Sequence, residues 1–194
     1  MLDRMALQIG QPADHGFDEP LGLLRDCHRR IDHFLQVLVA VAAEPEDSAL
    51  SPQHQRAAEN ALRYFAVAAP KHTADEEESL FPRLRDTRDP GVLEALTLIE
   101  RLERDHQEAD EHHAAIESLV RRWLATGALP TAEAADLRHR LAHLQRLYQQ
   151  HIALENDRLF PAAARVLNAA QVHDIGQEMA RRRHVSSQAD AGPR

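Results

Sequence analysis

The 194-residue sequence has little of what strands, tight turns and crosslinks require. It has only 7 glycines and 4% aromatics, and its β-branched residues are outnumbered by Ala, Leu, Glu, Arg and Gln, a mixture with high helix and low strand propensity. That composition points away from a sheet protein and toward an all-α one. One cysteine, Cys27, rules out an intramolecular disulfide and suits a reducing, cytoplasmic setting. No apolar run reaches the roughly 18 residues that a membrane span needs, and no secretory pattern opens the chain. With 31 acidic against 23 basic residues the formal charge is -8. Nucleic acid is therefore a poor partner, despite the short basic run from Arg181 to His184. What the chain has in quantity is histidine, 13 in all.

Apolar periodicity and punctuation predict four long helices. The first runs from about Leu21 to Ala43. The second opens at Ser51-Pro52, a cap followed by proline in the first turn, and reaches about Arg85 with a kink at Pro70. The third opens at Asp89-Pro90 and ends at Gly127, and the fourth runs from Thr131 to Pro161 or a few residues beyond. Asn168 with Gln171 has the spacing of a capping box for a short fifth helix to about Arg183. Residues 1–17 and 185–194 read as tails around a single unit, 18–184. Long helices joined by short loops predict an antiparallel up-and-down four-helix bundle with a C-terminal helix.

The second and fourth helices carry the same text. "HTADEEESLFP" (72–82) returns 79 residues later as "HIALENDRLFP" (151–161), with Leu62 and Phe65 matched by Leu141 and Leu144. The first and third match at an offset of 78, "LRDCHRRID" (24–32) against "LERDHQEAD" (102–110). The chain reads as two helical hairpins related by a pseudo-two-fold axis. A lone His-x3-Glu pair means little: His15 and Glu19 have that spacing, but Gly16 and Pro20 break any helix there. The same pair in the same context twice is different.

Helical spacing sets which face is buried. Leu24, His28, Ile31, Leu35 and Leu38 form one inward stripe of the first helix. Leu62, Phe65, Ala69, His72 and Glu76 do so on the second. Ile99, Leu102, His106, Ala109, His113 and Ile116 follow on the third, and Leu137, Leu141, Leu144, Tyr148, His151, Glu155 and Leu159 on the fourth. Each helix thus sends one histidine inward, and two add a glutamate one turn on. Buried carboxylate and imidazole without partners are expensive, and a metal is the usual remedy. The acids around Glu76, namely Asp75, Glu77 and Glu78, are expected at solvent. Four imidazoles and two carboxylates suit iron, manganese or zinc. One metal would take His28 and His72, the other His106 and His151, with Glu76 and Glu155 shared. An oxo or hydroxo bridge and a small exogenous ligand would fill the remaining positions.

At these residues the chain resembles the hemerythrin family, and more closely its bacterial hemerythrin-like HHE cation-binding members. The resemblance spans about residues 20–165 and rests on "HTADEEESLFP" and "HIALENDRLFP", with "CHRRIDHFL" and "RDHQEAD" in weaker form. It implies a four-helix bundle around two iron ions, held by His28, His72, Glu76, His106, His151 and Glu155. The expected partners are dioxygen, nitric oxide or peroxide. Oxygen-carrying members have a further histidine four residues after the one in the third helix. Asp110 stands there instead, which implies a centre that autoxidises more readily than a carrier. The alternatives are a di-iron redox enzyme acting on peroxide or nitric oxide, a protein of iron or nitrosative-stress repair, or a sensor that needs a protein partner. Ferritin-like oxidases are disfavoured, since Glu103 and His106 have the Glu-x2-His spacing but no second inward copy exists.

Around the six, Asp32 and Asp110 are expected to support ligands from outside, His113 to be satisfied or partly exposed, and Tyr148 to pack in the core. Cys27 lies about 100° around the helix from His28 and is not a ligand. His33, His54, His112, His139, His143 and His173 are expected to be surface or packing residues.

Overall fold

The computed structural model describes residues 14–185 apart from 88 and 90–92, and the description below is confined to them. The elements are α1 (Pro20–Ala42), α2 (Pro52–Val67), α3 (Ala69–Ala74), α4 (Phe81–Arg85), α5 (Leu93–Thr126), α6 (Thr131–Leu154), α7 (Phe160–Val166) and α8 (Ala169–Arg182). Two π-helical segments join them, Asp75–Leu80 between α3 and α4 and Glu155–Leu159 between α6 and α7. No strand occurs among the described residues.

Local chemistry sets the boundaries. The Ser51 side chain accepts the His54 N–H at 3.1 Å, and Asn168 and Gln171 form the reciprocal capping box before α8. Gly127 closes α5 at φ +75°, a left-handed conformation that favours glycine. The break between α2 and α3 falls at Ala68, two residues ahead of Pro70, where the kink is expected. The Asp89-Pro90 start of the third helix lies at the edge of the described residues, where helix is first seen at Leu93.

The Leu-Phe-Pro triplets are not stops. Proline has no N–H, and its ring crowds the carbonyl four residues earlier. In both copies the chain widens by one residue instead of ending. Phe81 N–H donates to the Glu76 carbonyl and Phe160 N–H to the Glu155 carbonyl, five residues back, and helix resumes beyond.

Helix α1 packs against α2 and α6, while α5 packs against α6 and α2, so the four arms close on one another. Two apolar clusters fill the interior. One holds Ile31, Leu35, Phe65, Ile116, Trp123, Leu141 and their neighbours. The other holds Leu24, Leu80, Phe81, Leu102, Leu159, Phe160 and Met179. Along every arm the conserved spacing of the repeat puts its histidine between the two clusters. Fully burying each phenylalanine contributes about 1.5–3 kcal/mol, which fixes the helices on either side of a polar layer.

Helix α8 packs on the first π-helical segment and on α1. Residues 14–17, expected as tail, are instead drawn in. His15 N–H donates to Asp26 Oδ2 at 2.9 Å, and its ring lies 3.1 Å from Oδ1. The Phe17 carbonyl comes so close to Gly176 that a Cβ there would sit 1.8 Å from it. Asp75 also departs from expectation. It is fully buried, with Arg182 at 3.0 Å and Arg183 at 2.6 Å. This clamp was invisible in the sequence because its arginines come from the end of α8 and the residue after it, more than 100 residues away.

Candidate metal centre

Four imidazoles and two carboxylates meet in the layer between the apolar clusters, and all six side chains are buried. His28 comes from α1, His72 from α3, His106 from α5 and His151 from α6. Glu76 and Glu155 come from the two π-helical segments. The Nε2 atoms all point at the carboxylates. His28 Nε2 is 3.0 Å from Glu155 Oε2 and 3.8 Å from Glu76 Oε1. His72 Nε2 is 3.4 Å from Glu76 Oε1, His106 Nε2 3.4 Å from Glu76 Oε2, and His151 Nε2 3.3 Å from Glu155 Oε2. The side chains fall into two groups of four, each with ligand atoms within 4.8 Å of one another: His28, His72, Glu76, Glu155 and Glu76, His106, His151, Glu155. Glu76 and Glu155 belong to both.

The phenylalanines of the two triplets lie across the pseudo-two-fold. Phe160 stacks on His28 with rings 10° apart, and Phe81 on His106 with rings 4° apart. The apolar ring that follows each glutamate thus orients the histidine of the other hairpin.

The protein alone leaves this layer unsatisfied. None of the four oxygens of Glu76 and Glu155 makes a hydrogen bond, although every one is buried. His106 Nε2 and His151 Nε2 face each other at 3.2 Å, where only a proton or a cation can sit between two nitrogens. Each uncompensated buried charge costs several kcal/mol. Burial raises the carboxyl of Glu76, but the imidazoles around it, His72 foremost, hold it well below the ordinary range. Glu155 is also lowered, against burial and the charge of Glu76, by His151 and His28. Burial would depress His28 and His151, yet the same carboxylates overcome it and raise them to about 9 and about 10. His72 is pushed down to about 4 by burial. The residues therefore fit divalent or trivalent cations: two buried carboxylates face four imidazole Nε2 atoms, and a cation would take the place of the protons that His28 and His151 hold there.

The outer nitrogens find partners that the sequence reading missed. His106 Nδ1 lies 2.7 Å from Glu77 Oε1, so Glu77 is not a plain solvent-facing acid. His28 Nδ1 lies 3.2 Å from Asn156 Oδ1, and His151 Nδ1 3.4 Å from Asp105 Oδ2. Glu78 is exposed and pairs with Arg182 at 3.1 Å. Asp32 does not reach the layer; it is exposed and accepts from Gln36 Nε2 at 2.7 Å. Asp110 is exposed too, at the mouth of a cavity, and supports no ligand. The one available signal was that Glu77 and Asn156 are equivalent polar positions of the repeat.

A cavity of about 40 Å³ opens beside the layer, lined by all four histidines. It adjoins a larger one of about 200 Å³ through Phe65, Asp110 and His113. His113 Nε2 meets Tyr148 Oη at 2.9 Å and stacks on Phe65, and burial pushes it down to about 4. Cys27 is buried and takes a hydrogen bond from Arg30, away from the layer. On the outer face, Glu108, His112 and His143 form a separate, partly exposed group.

The described residues are helical, and their paired, buried His/Glu groups form a candidate metal site of the carboxylate-histidine type. The profile of the hemerythrin HHE cation-binding domain matches residues 19–163, and the chain belongs to that family. It is 28% identical over 181 residues to an uncharacterized protein of Haemophilus influenzae, covering 92% of this chain and 99% of that one. Among the described residues no helix is long and apolar enough to cross a membrane.

Proposed function

We propose that the protein holds two iron ions at the paired groups and uses them to bind or sense a small diatomic ligand, dioxygen or nitric oxide. The observation that carries this is the set of four buried carboxylate oxygens without a hydrogen bond, shared between two groups of two histidines each. His28 and His72 would hold one ion, His106 and His151 the other, with Glu76 and Glu155 touching both. The closing of the four arms on one another supports an antiparallel bundle over residues 18–184 as the frame.

Iron held this way would supply reversible or redox binding of a small molecule. The rest is done by the chain. Phe81 and Phe160 keep bulk water from His106 and His28, and the 40 Å³ cavity admits a molecule or two the size of water or a diatomic gas. Two histidines per ion, with Asp110 in place of a further one, leave the centre open and favour sensing with fast autoxidation over carriage.

The test is to load the purified chain anaerobically with ferrous iron, count the metal, and add each gas. Two irons per chain and a spectroscopic adduct with oxygen or nitric oxide are expected. A folded protein that refuses iron would sink the proposal. Rapid turnover of peroxide with no stable adduct would replace it with the redox-enzyme reading.

A further inference from the structure

The two halves of the centre are equivalent in sequence, and their inner ligands match. Their outer support does not match. By the repeat, His28 corresponds to His106, His72 to His151, Cys27 to Asp105, and Glu77 to Asn156. In one half, His106 Nδ1 meets the Glu77 carboxylate at 2.7 Å and His151 Nδ1 the Asp105 carboxylate at 3.4 Å. In the other half, His28 Nδ1 meets only the neutral Asn156 amide oxygen at 3.2 Å, and His72 Nδ1 is buried with no hydrogen-bond partner. The position matching Asp105 is Cys27, whose sulfur accepts from Arg30 instead.

Resting on the di-iron reading, we propose that Glu77 and Asp105 are positioning residues that make the His106/His151 position the more electron-rich of the two. The iron held there would be the more readily oxidised. A carboxylate that accepts an Nδ1 proton draws the ring toward imidazolate and strengthens its other nitrogen as a donor. An amide oxygen fixes the ring's orientation and does little more. The two anions also favour a higher charge on that side. Arg101 offsets part of this, lying 3.9 Å from Asp105, but it is 46% exposed and screened by water. Glu77 is 35% exposed and Asp105 only 14%, so Asp105 keeps more of its field.

The inner symmetry is therefore misleading: two identical ligand sets would give two unlike metals. The experiment uses the full chain loaded with iron-57. Mössbauer spectra of the oxidised form are expected to show two doublets of equal area. In the Glu77→Gln, Asp105→Asn double variant, which keeps both acceptors and removes both charges, the doublets should converge. Affinity for the ion at the His106/His151 position should fall by about 10- to 100-fold. Asn156→Asp, which gives the opposite half a carboxylate, should narrow the difference from the other side without loss of iron, and it covers the case in which the double variant fails to fold. A wild-type spectrum with two irons in one doublet would overturn this inference and leave the di-iron reading intact. So would two doublets unmoved in a folded double variant or in Asn156→Asp. A wild-type protein that binds no iron pair would overturn the di-iron reading itself.

Discussion

Loading the centre with metal should release protons, and the structure gives the number. In the metal-free protein at pH 7, His28 and His151, raised to about 9 and about 10, are both protonated. A histidine ligand must give up its Nε2 proton to bind, while its Nδ1 keeps its proton and donates it to the Asn156 or Asp105 oxygen. His72 is already neutral, and Glu76 and Glu155 are already ionised. Filling both positions at pH 7 should therefore expel about two protons from His28 and His151, plus a further fraction from His106, which the same carboxylates raise. Overall affinity should fall about tenfold per pH unit for each of the two, or about ten-thousandfold from pH 8 to pH 6. Stability of the apo protein follows from the same values. Groups with raised values stabilise fully below the unfolded 6.5, and that stability is lost as pH rises through 9 and 10. His72 and His113, lowered to about 4, withdraw stability as pH falls below 6.5. The apo protein should therefore be most stable near pH 6.5, and the gain in melting temperature on loading should grow toward pH 9. Unbuffered titration with ferrous iron under argon, followed by a pH-stat, measures the protons. Fewer than one proton per chain would refute the reasoning.

Three further outcomes are expected. Replacing Glu76 or Glu155 by Ala removes a group that faces both positions, so metal content should fall toward zero. His28→Ala can retain one ion and Glu78→Ala both, as metal analysis of each purified variant would reveal. Asp75→Ala leaves Arg182 and Arg183 without their buried anion; each arginine keeps about a fifth of its side chain exposed. The loss should be about 2–3 kcal/mol, below the 3–5 of a fully buried pair, and denaturant unfolding that shows under 0.5 kcal/mol would contradict it. Gly176→Ala forces a methyl onto the Phe17 carbonyl and should cost about 1–3 kcal/mol. A melting temperature equal to wild type would mean that residues 14–17 do not hold that place in solution.

The arms, their caps and the six converging side chains were legible because each depends on spacing within one helix. Ser51, the Asn168 box and the inward stripe through His106 need nothing from elsewhere. What escaped came from other arms. Glu77 and His106 are 29 residues apart, His28 and Asn156 128, and Asp75 and Arg182 107. An acidic run read alone offers no reason for Asp75 to be buried and Glu78 exposed. The polar support expected from Asp32 and Asp110 failed because each, four residues beyond His28 or His106 on the same helix, meets water. Pro82 and Pro161 gave no sign of the π turns that precede them. Their rule concerns an α-helix, and the chain meets the constraint by leaving that geometry.

The two π turns also carry a history. A π turn holds one residue more than an α turn, and here each begins at or one residue before a glutamate of the centre, Asp75–Leu80 and Glu155–Leu159. The extra residue sits at the same place in both halves of the repeat. Had it entered each half separately, two unrelated insertions would have had to land at one register before the same Leu-Phe-Pro. A single insertion in an ancestral hairpin, copied when that hairpin doubled, needs only one event. In that order, the ancestral hairpin already carried the turn that presents its glutamate. Pairing two copies across an axis would have brought the second glutamate and the second pair of histidines with it, and only afterwards could the outer residues of the two copies have diverged.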